Sequence, residues 1–280
     1  MLRLGARMFL LSTMVLLVRD ADAQVTNNVL LRVLLIQTPS GKGTAFSMDI
    51  DGRQYLITAK HMVAGWTGEH TISFREKGAW SDIEVGVYPC ADPVDIAVLV
   101  PPRVLTVAFP LEPQDDHPII VSQDVYFVGF PYGSSLEDNS PLFGSRPMPL
   151  AKRGVLATAP SGSAIRVDAL NNPGFSGSPI VFQDIYEHGS NPVFYVLDVV
   201  QGYTPELVHV TSPGPVGPND DLSKIEKWRI INDGRTILRD TPQLVPMNSG
   251  ILSGFSIKPA LDIIKQHPEG PAIAPVTVQH

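Results

Sequence analysis

The sequence predicts an all-β protein, either a sandwich or a barrel, and three observations support this class. Short apolar segments alternate with turn residues, and the 280 residues include 26 Pro and 23 Gly. No long segment before residue 257 has helical periodicity. Asp51-Gly52 lies between two alternating segments, which is a strong signal for a tight hairpin. Many short strands with frequent turns are typical of β-sandwiches and barrels.

The first half of the chain contains a series of predicted strands that ends at Pro101-Pro102, because proline cannot donate to a strand ladder. Between the third and fourth strands, residues 60–65 predict a short helical turn. The predicted strands are Val29–Gln37, Thr44–Ile50, Arg53–Ala59, Thr71–Arg75, Asp82–Val87 and Ile96–Val100.

A second series of strands follows residues 110–118, which lack apolar periodicity and are interpreted as a linker. Residues 204–249 are rich in proline and are predicted to be an inserted loop, with a hairpin around Asn232-Asp233-Gly234. Pro259 suits the first turn of a short helix that ends at Gln266. Residues 268–280 are predicted to be a disordered tail. The predicted strands are Asp124–Gly129, Lys152–Ala159, Ala164–Asp168, Pro179–Phe182, Val193–Val200 and Gly250–Ile257.

Composition narrows the possible functions. The formal charge is -7 and no run of Lys or Arg occurs, which argues against nucleic acid as a partner. Cys90 is the only cysteine, so no intramolecular disulfide can form, and we expect its thiol to be a small buried group. The sequence has no metal-ligand cluster, phosphate-binding loop or cofactor motif, so neither a cofactor nor a metal is predicted.

The N-terminus has the pattern of a secretory signal peptide. Arg3 and Arg7 precede the apolar run Met8–Val18, whose eleven residues are too few for a comfortable membrane span. Ala21-Asp22-Ala23 then offers a cleavage site, with an uncleaved anchor as the alternative. We therefore expect residues 1–23 to be removed, leaving an exported protein, secreted or periplasmic, with no membrane contact.

Chemistry concentrates at three separated positions. Ser176 lies in a turn rich in small residues, Asn172–Pro179, where Gly174 and Gly177 permit backbone angles that other residues avoid. A serine hydroxyl needs a nearby base, and that base needs an orienting carboxylate. His61 follows a predicted strand and Asp95 precedes one, although Asp92 is a competing carboxylate and the serine turn alone could be an ordinary surface turn. The order His, Asp, Ser does not fit an α/β-hydrolase.

At these residues the chain resembles the trypsin-like, chymotrypsin-fold serine proteases, in particular the bacterial HtrA/Deg-like branch. The resemblance covers about residues 29–203 and 250–265, which correspond to the protease domain, and no PDZ domain is expected. The motifs that carry it are Leu56-Ile57-Thr58-Ala59-Lys60-His61-Met62-Val63, Asp95-Ile96-Ala97-Val98-Leu99, Val128-Gly129-Phe130-Pro131-Tyr132-Gly133 and Asn172-Pro173-Gly174-Phe175-Ser176-Gly177-Ser178-Pro179.

The resemblance implies two antiparallel six-stranded β-barrels with the site between them. Residues 24–110 would form the first barrel, and residues 119–267 the second barrel with the terminal helix. It also implies a serine endopeptidase that acts on peptides or proteins. His61 would be the general base and then the acid, Asp95 would orient it, and Ser176 would attack the peptide carbonyl. The backbone N–H groups of Gly174 and Ser176 would form the oxyanion hole.

Three positions depart from the family pattern, and none of them removes a catalytic group. Lys60 stands where a small residue is usual, Ser178 replaces a glycine, and Phe175 replaces a polar residue. The resemblance implies a specificity pocket for an apolar or small side chain, which Tyr203 would narrow. Its substrate-binding residues would be Leu170, Val200, Gln201 and Gly202.

Two other classes of protein compete with an endopeptidase. The first is a catalytically silent trypsin-fold binding protein, in which residues 204–249 cover the crevice or recognise a partner. The second is an unrelated β-sandwich module for adhesion or sugar binding, which would make the three motifs coincidental. Retention of His61, Asp95 and Ser176 favours the endopeptidase over the silent binding protein.

Overall fold

A computed structural model describes residues 25–106, 110–114, 118–134, 146–158, 164–184 and 193–274. It contains two helices and fourteen strands within these ranges. The predicted signal peptide lies outside them. No helix of the described ranges is both long and apolar enough to cross a membrane.

The first barrel is closed by six antiparallel strands in the order β1-β2-β3-β6-β5-β4. It is preceded by helix α1, Asn27–Leu31. The predicted strand from Val29 therefore begins only at Val33, because a short apolar run fits a buried helical turn as well as a strand. The strands are β1 Val33–Thr38, β2 Gly41–Ile50, β3 Arg53–Thr58, β4 Gly68–Glu76, β5 Ala79–Pro89 and β6 Ala97–Val100.

The second barrel is also closed and antiparallel, because β14 pairs with β10 on one side and with β12 on the other. The order around this barrel is β14-β10-β9-β8-β11-β12. The two six-stranded barrels that the resemblance implied are thus confirmed. Two-residue strands β7 and β13 pair at its margins. The strands are β7 Glu112–Pro113, β8 Asp124–Gly129, β9 Leu150–Leu156, β10 Ala164–Asp168, β11 Pro179–Gln183, β12 Phe194–Pro215, β13 Ile230–Ile231 and β14 Thr236–Ser256.

Apolar side chains fill both barrels and the space between them. Leu34 and Ile36 of β1 pack inside the first barrel, while Val33 and Leu35 of the same strand pack in the cluster shared by both barrels. Strands that are buried on both faces read as continuous apolar runs, and β1 has this pattern. The confirmed C-terminal helix α2, Lys258–Gln266, places Ile264 in the shared cluster.

Residues 204–249 do not form the irregular inserted loop that the prolines suggested. They extend β12 and β14 as a two-stranded antiparallel ribbon, paired from Pro205↔Asn248 to Pro215↔Thr236. Proline is tolerated because each strand of a two-stranded ribbon has one edge that needs no partner. The predicted hairpin is present, with Ile230 opposite Ile237 and positive φ angles at residues 232–234.

Residues 268–274 are ordered, contrary to the prediction of a disordered tail, and the rest of that predicted tail lies outside the described residues. The backbone of Gln54 donates to the carbonyl of Pro271 at 3.1 Å, and Ile273 donates to Gly52 at 2.9 Å. The Arg53 guanidinium donates to the Gly270 carbonyl at 2.6 Å. The segment 270–273 therefore pairs with the start of β3, so the chain returns from the second barrel to the first. We call this segment the return strap.

Candidate active site

His61 lies directly after β3, in the 3-10 turn Lys60–Val63, and Asp95 holds it by both carboxylate oxygens. Asp95 Oδ1 accepts from the His61 backbone N–H at 2.8 Å, and Oδ2 lies 2.7 Å from Nδ1 of the ring. A carboxylate at Nδ1 places the proton of the neutral ring there and leaves Nε2 as an acceptor. The histidine side chain is 45% exposed and the aspartate 12%, so the pair opens to solvent through the imidazole.

Lys60 fixes the loop that carries Asp95, which explains this departure from the family pattern. Its backbone N–H donates to the Asp95 carbonyl at 3.2 Å. Its ammonium donates to the Cys90 carbonyl at 3.0 Å and to Asp92 Oδ1 at 2.7 Å. The competing carboxylate, Asp92, therefore pairs with Lys60 and not with the imidazole. Burial raises the pKa of the Cys90 thiol to about 11, so this thiol stays protonated near neutral pH.

The turn that carries Ser176 needs its glycines for conformation and for space. Gly174 and Gly177 have φ angles of +100° and +84°. A Cβ at Gly174 would lie 2.3 Å from the Phe130 carbonyl oxygen, and one at Gly177 would lie 2.1 Å from that of Thr44. Only glycine avoids both the strain and the overlap. The turn is thereby pressed against both barrels.

From residue 174 to residue 177, backbone N–H groups that donate a hydrogen bond within the described chain alternate with N–H groups that do not. Phe175 N–H donates to the Asn172 carbonyl at 3.3 Å, and Gly177 N–H donates to the Val200 carbonyl at 2.9 Å. Within the described part of the chain, the N–H groups of Gly174 and Ser176 have no hydrogen-bond acceptor. Two free donors beside a hydroxyl have the composition of an oxyanion hole. The hydroxyl itself donates to the Gln201 carbonyl at 3.3 Å.

Thr44, at the start of β2, ties the serine turn to the first barrel. Its backbone N–H donates to the Ser176 carbonyl at 3.0 Å, and its hydroxyl donates to the Gly174 carbonyl at 2.8 Å. The same hydroxyl accepts from the Phe130 N–H at 3.2 Å. On the other side of the turn, a Cβ at Gly177 would lie 2.9 Å from the Ala59 nitrogen, two residues before His61. The two loops therefore adjoin where the barrels meet.

A cleft of about 700 Å³ opens beside the His61–Asp95 pair. Of the residues expected to bind substrate, Gln201 and Gly202 line it, followed along β12 by Tyr203. Arg166 of β10 also lines the cleft, and sequence reasoning missed it because no local pattern marks a residue that reaches a site through a neighbouring strand. Among the described residues, no group of three His, Cys, Asp or Glu side chains could hold a metal ion.

Two other expected substrate contacts lie elsewhere. The Val200 side chain is fully buried in the core of the second barrel. Its backbone N–H and carbonyl are both already bonded, to Ser178 and Gly177 respectively, so Val200 has no group left for a substrate. Leu170 is 54% exposed but does not line the cleft beside His61. Its carbonyl accepts a hydrogen bond from Lys152, whose pKa is lowered by burial.

The two remaining departures from the family pattern pack into the interior. Phe175 is fully buried, edge-on to Phe127 with ring centroids 4.9 Å apart, and the Lys152 ammonium lies 5.7 Å from its ring centre. The Ser178 hydroxyl is buried and has no hydrogen-bond partner among the described residues. A Cβ at Gly129 would lie 2.1 Å from that oxygen. Both residues therefore support the turn from below.

This fold, with a histidine–carboxylate pair and a serine turn at the junction of two barrels, defines the class of chymotrypsin-like proteins. The sequence profile of the trypsin-like peptidase domain matches residues 43–185, just over half of the chain. The chain therefore belongs to the trypsin-like peptidase family. No curated protein sequence is significantly similar to it.

Solved structures share the fold at low sequence identity. The chain is similar to an HtrA-type protease, AlgW with a tripeptide, with a TM-score of 0.50 and 16% identity over 87% of this chain. The match spans 63% of the AlgW chain. An inactive mutant form of Rv3671c from M. tuberculosis H37Rv matches with a TM-score of 0.46 and 18% identity, over 85% of this chain and 89% of that one.

Proposed function

We propose that the chain is a serine endopeptidase that hydrolyses peptide bonds of a protein or peptide through an acyl-enzyme intermediate. The observation that carries this proposal is the double contact between Asp95 and His61. The carboxylate accepts from the His61 backbone N–H and lies beside Nδ1 of the ring. This contact leaves Nε2 to act as a base. Membership of the trypsin-like peptidase family supports the same reaction class.

In the proposed reaction, Nε2 of His61 removes the proton of the Ser176 hydroxyl as Oγ attacks the peptide carbonyl carbon. The oxygen of the tetrahedral intermediate accepts hydrogen bonds from the free N–H groups of Gly174 and Ser176. His61 then gives its proton to the leaving amine, and the acyl group remains on Oγ. Water, deprotonated by His61, releases the acid and restores the serine.

The hydroxyl of Ser176 must change its partner before this attack. It donates to the Gln201 carbonyl at 3.3 Å, a long hydrogen bond that costs little to exchange. The attack requires the hydroxyl to leave the Gln201 carbonyl and to donate to Nε2 of His61. The Gln201 carbonyl would then be free to accept from the backbone of a bound peptide. Substrate binding and activation of the serine would thus favour each other.

The edge of β12 beside Ser176 supports an extended substrate. Strand β11 covers β12 only as far as the Pro179↔Val199 pair, and no strand of the described ranges covers the same edge from Gln201 onward. An exposed edge can pair with an extended peptide through backbone hydrogen bonds. A peptide in this position would pass the serine turn and enter the cleft beside His61.

A fluorophosphonate that labels activated serines tests the proposal directly. We expect stoichiometric labelling of Ser176, found by mass spectrometry of the modified peptide, and loss of labelling in Ser176→Ala and His61→Ala variants. A Ser134→Ala variant, which removes a hydroxyl outside the cleft, is the matched control and keeps full labelling. A folded protein whose Ser176 stays unlabelled while trypsin reacts in the same tube would be a silent binding protein instead.

Export of the protein is a separate proposal that rests on the N-terminal sequence. An apolar run with flanking arginines and a small-x-small site supports removal of residues 1–23. N-terminal sequencing of protein secreted from a bacterial host is expected to begin at Gln24. A mature protein that begins at Met1 in the cytoplasm contradicts export without affecting the proposed reaction.

A further inference from the structure

Arg166 brings a positive charge into the cleft that no carboxylate of the described chain neutralises. Its guanidinium donates through one nitrogen, Nη1, to the Thr204 hydroxyl at 3.1 Å and to the Ser253 hydroxyl. It makes no salt bridge within the described ranges, whereas the other cation of the cleft, Lys60, pairs with Asp92 at 2.7 Å. Asp95 is engaged by His61. Among the described residues of the cleft, Arg166 is therefore the cation whose charge is left for a ligand.

The two hydroxyls fix the position of the guanidinium and leave several of its N–H donors unused. An arginine has five N–H donors in a planar fork that matches the two oxygens of a carboxylate. Thr204 and Ser253 use only Nη1, so Nη2 and Nε keep their donors. Neutral hydroxyls fix the orientation of the side chain without cancelling its charge. The free N–H donors of the Arg166 guanidinium can therefore bind a planar anion with two oxygens, such as a carboxylate.

The strand spacing shows which part of a peptide would meet this group. Gln201 lies beside the nucleophile, since its carbonyl accepts from Ser176 Oγ. Thr204 follows three residues later in β12, which is about 10 Å along a strand. A peptide that pairs antiparallel with this edge places the residues that precede the scissile bond beside Tyr203, Thr204 and Pro205. All three line the cleft together with Arg166.

We infer that this cleft selects substrates with an aspartate or glutamate two to four residues before the scissile bond, and that Arg166 is the specificity-determining residue. This inference rests on the proposed function and names the substrate class of the same site. The contact is exposed at the cleft surface, because Arg166 lies on the outer face of β10. Salt will therefore weaken the selection.

Cleavage of a proteome-derived peptide library, read by mass spectrometry, tests the inference. We expect acidic residues to be enriched at one or more of these three positions. In matched peptides, replacing the acidic residue by its amide is expected to lower kcat/KM about tenfold, the effect of one charge-assisted contact. The Arg166→Gln variant should lose this difference, and Arg166→Glu should prefer a lysine at the same position. Equal cleavage of acid and amide peptides by the unmodified protein overturns the inference.

The matched control is Arg153→Gln, because Arg153 is an exposed arginine that pairs with Asp124 at 2.7 Å outside the cleft. This variant is expected to keep the full acidic preference. Binding of the same peptides to the Ser176→Ala variant, measured by fluorescence anisotropy, separates the inference from the proposed function. If the probes do not label Ser176 but the protein binds the acid peptide about tenfold more tightly than the amide peptide, the proposed hydrolysis is refuted and the acidic site is not. Equal affinity for both peptides, or none, refutes the acidic site.

Discussion

At the scale of single residues, Asp95 serves two parts of His61 at once. One oxygen accepts from the backbone N–H and the other faces Nδ1, at 2.8 and 2.7 Å. The carboxylate therefore fixes both the start of the 3-10 turn and the rotation of the ring. An amide in its place has only one acceptor oxygen, so it can satisfy one of these contacts but not both.

We therefore expect Asp95→Asn to lower kcat by about 10³ to 10⁴, the loss that follows when the histidine takes the wrong tautomer. Steady-state hydrolysis of a peptide substrate measures this loss, and circular dichroism confirms that the variant folds. Asp124→Asn is the control, because Asp124 pairs with Arg153 at the surface and should keep full activity. An Asp95→Asn variant with more than a tenth of the normal kcat would show that Asp95 does not orient the base.

Asp198 is a second unusual carboxyl group, far more buried than Asp95. Burial raises its pKa well above the ordinary value, and its Oδ2 atom has no hydrogen-bond partner among the described residues. The folded protein thus holds a proton that the unfolded chain releases from about pH 4 upward. Because the unfolded chain binds fewer protons over this range, stability falls as pH rises above about 4, until the folded-state pKa is passed.

The Asp198→Asn variant removes this ionisation, so we expect it to be more stable than the natural protein at pH 8, by about 1.4 kcal/mol for each pH unit between about 4 and the folded-state pKa. The two proteins should converge below about pH 4. Urea unfolding at a series of pH values gives both results. Asp233→Asn, an exposed turn residue, should change stability by less than about 0.5 kcal/mol throughout. A constant difference across the pH range would contradict a proton held at Asp198.

Sequence reasoning was most informative at this scale where a residue lies inside a short local pattern. His61, Asp95 and Ser176 each adjoin a recognisable strand end or glycine turn, and the structure holds His61 and Asp95 in contact. Arg166 and Thr44 have no such context. Arg166 reaches the cleft because β10 lies next to β14, and strand order around a barrel is not written in any single segment.

At the scale of elements, β2 of the first barrel holds the serine turn of the second. Thr44 alone supplies three hydrogen bonds to residues 130, 174 and 176. The orientation of the peptide groups that follow Gly174 and Ser176 therefore depends on Thr44, which lies 130 residues before Gly174 in the sequence. Thr44 is a positioning residue, because it acts on the carbonyls of the turn and not on the substrate.

We expect Thr44→Val, which keeps the shape of the side chain, to leave the buried Phe130 N–H and the Gly174 carbonyl unpaired. This change should cost about 1–3 kcal/mol in stability and lower kcat more than it changes KM, because the proposed oxyanion donors, the N–H groups of Gly174 and Ser176, lose their fixed direction. Thr44→Ser keeps the hydroxyl and should restore kcat. Equal activity of the Val and Ser variants in stopped-time peptide assays would show that the Thr44 hydroxyl does not position the serine turn.

The elements that sequence patterns misjudged have specific physical causes. Apolar residues before Val33 suit a strand and a buried helical turn equally, so α1 was missed. The prolines of residues 204–249 suggested a loop, but a ribbon with two free edges tolerates them. The return strap was expected to be disordered because its pairing partner, β3, lies more than 200 residues earlier.

At the scale of the whole molecule, the barrels form the core, while the ribbon continues beyond it. Near its base, the ribbon contacts the second barrel through Asn248, whose amide donates to the Asn171 carbonyl. The Thr204 hydroxyl accepts from Arg166 of β10 at 3.1 Å, and Ser249 Oγ joins the two strands of the ribbon by donating to the Thr204 carbonyl at 2.6 Å. Farther out, the side-chain hydrogen bonds of the ribbon in the described part of the chain lie within the ribbon itself, as between Arg239 and Asp220. The folded core is therefore independent of the distal ribbon.

Replacing residues 207–246 by Asn-Gly, a two-residue hairpin turn, should leave the barrels intact. We expect Tm to stay within about 4 °C of the natural value and the fluorophosphonate labelling of Ser176 to be unchanged. A deeper deletion of residues 204–249 also removes the bond of Asn248 to Asn171 and that of Thr204 to Arg166, and it should lower Tm clearly. Unfolding of the shorter deletion at room temperature would show that the distal ribbon is part of the core.

The return strap has a mechanical consequence for the two barrels. The chain crosses from the first barrel to the second once, and the strap then crosses back to Gly52, Arg53 and Gln54. The two barrels are therefore connected at two places, by the crossing of the chain and by the return strap. A force that separates the barrels acts on both connections at once. Neither barrel can rotate away from the other about a single hinge. The distance between His61 and the serine turn therefore depends on both connections between the barrels.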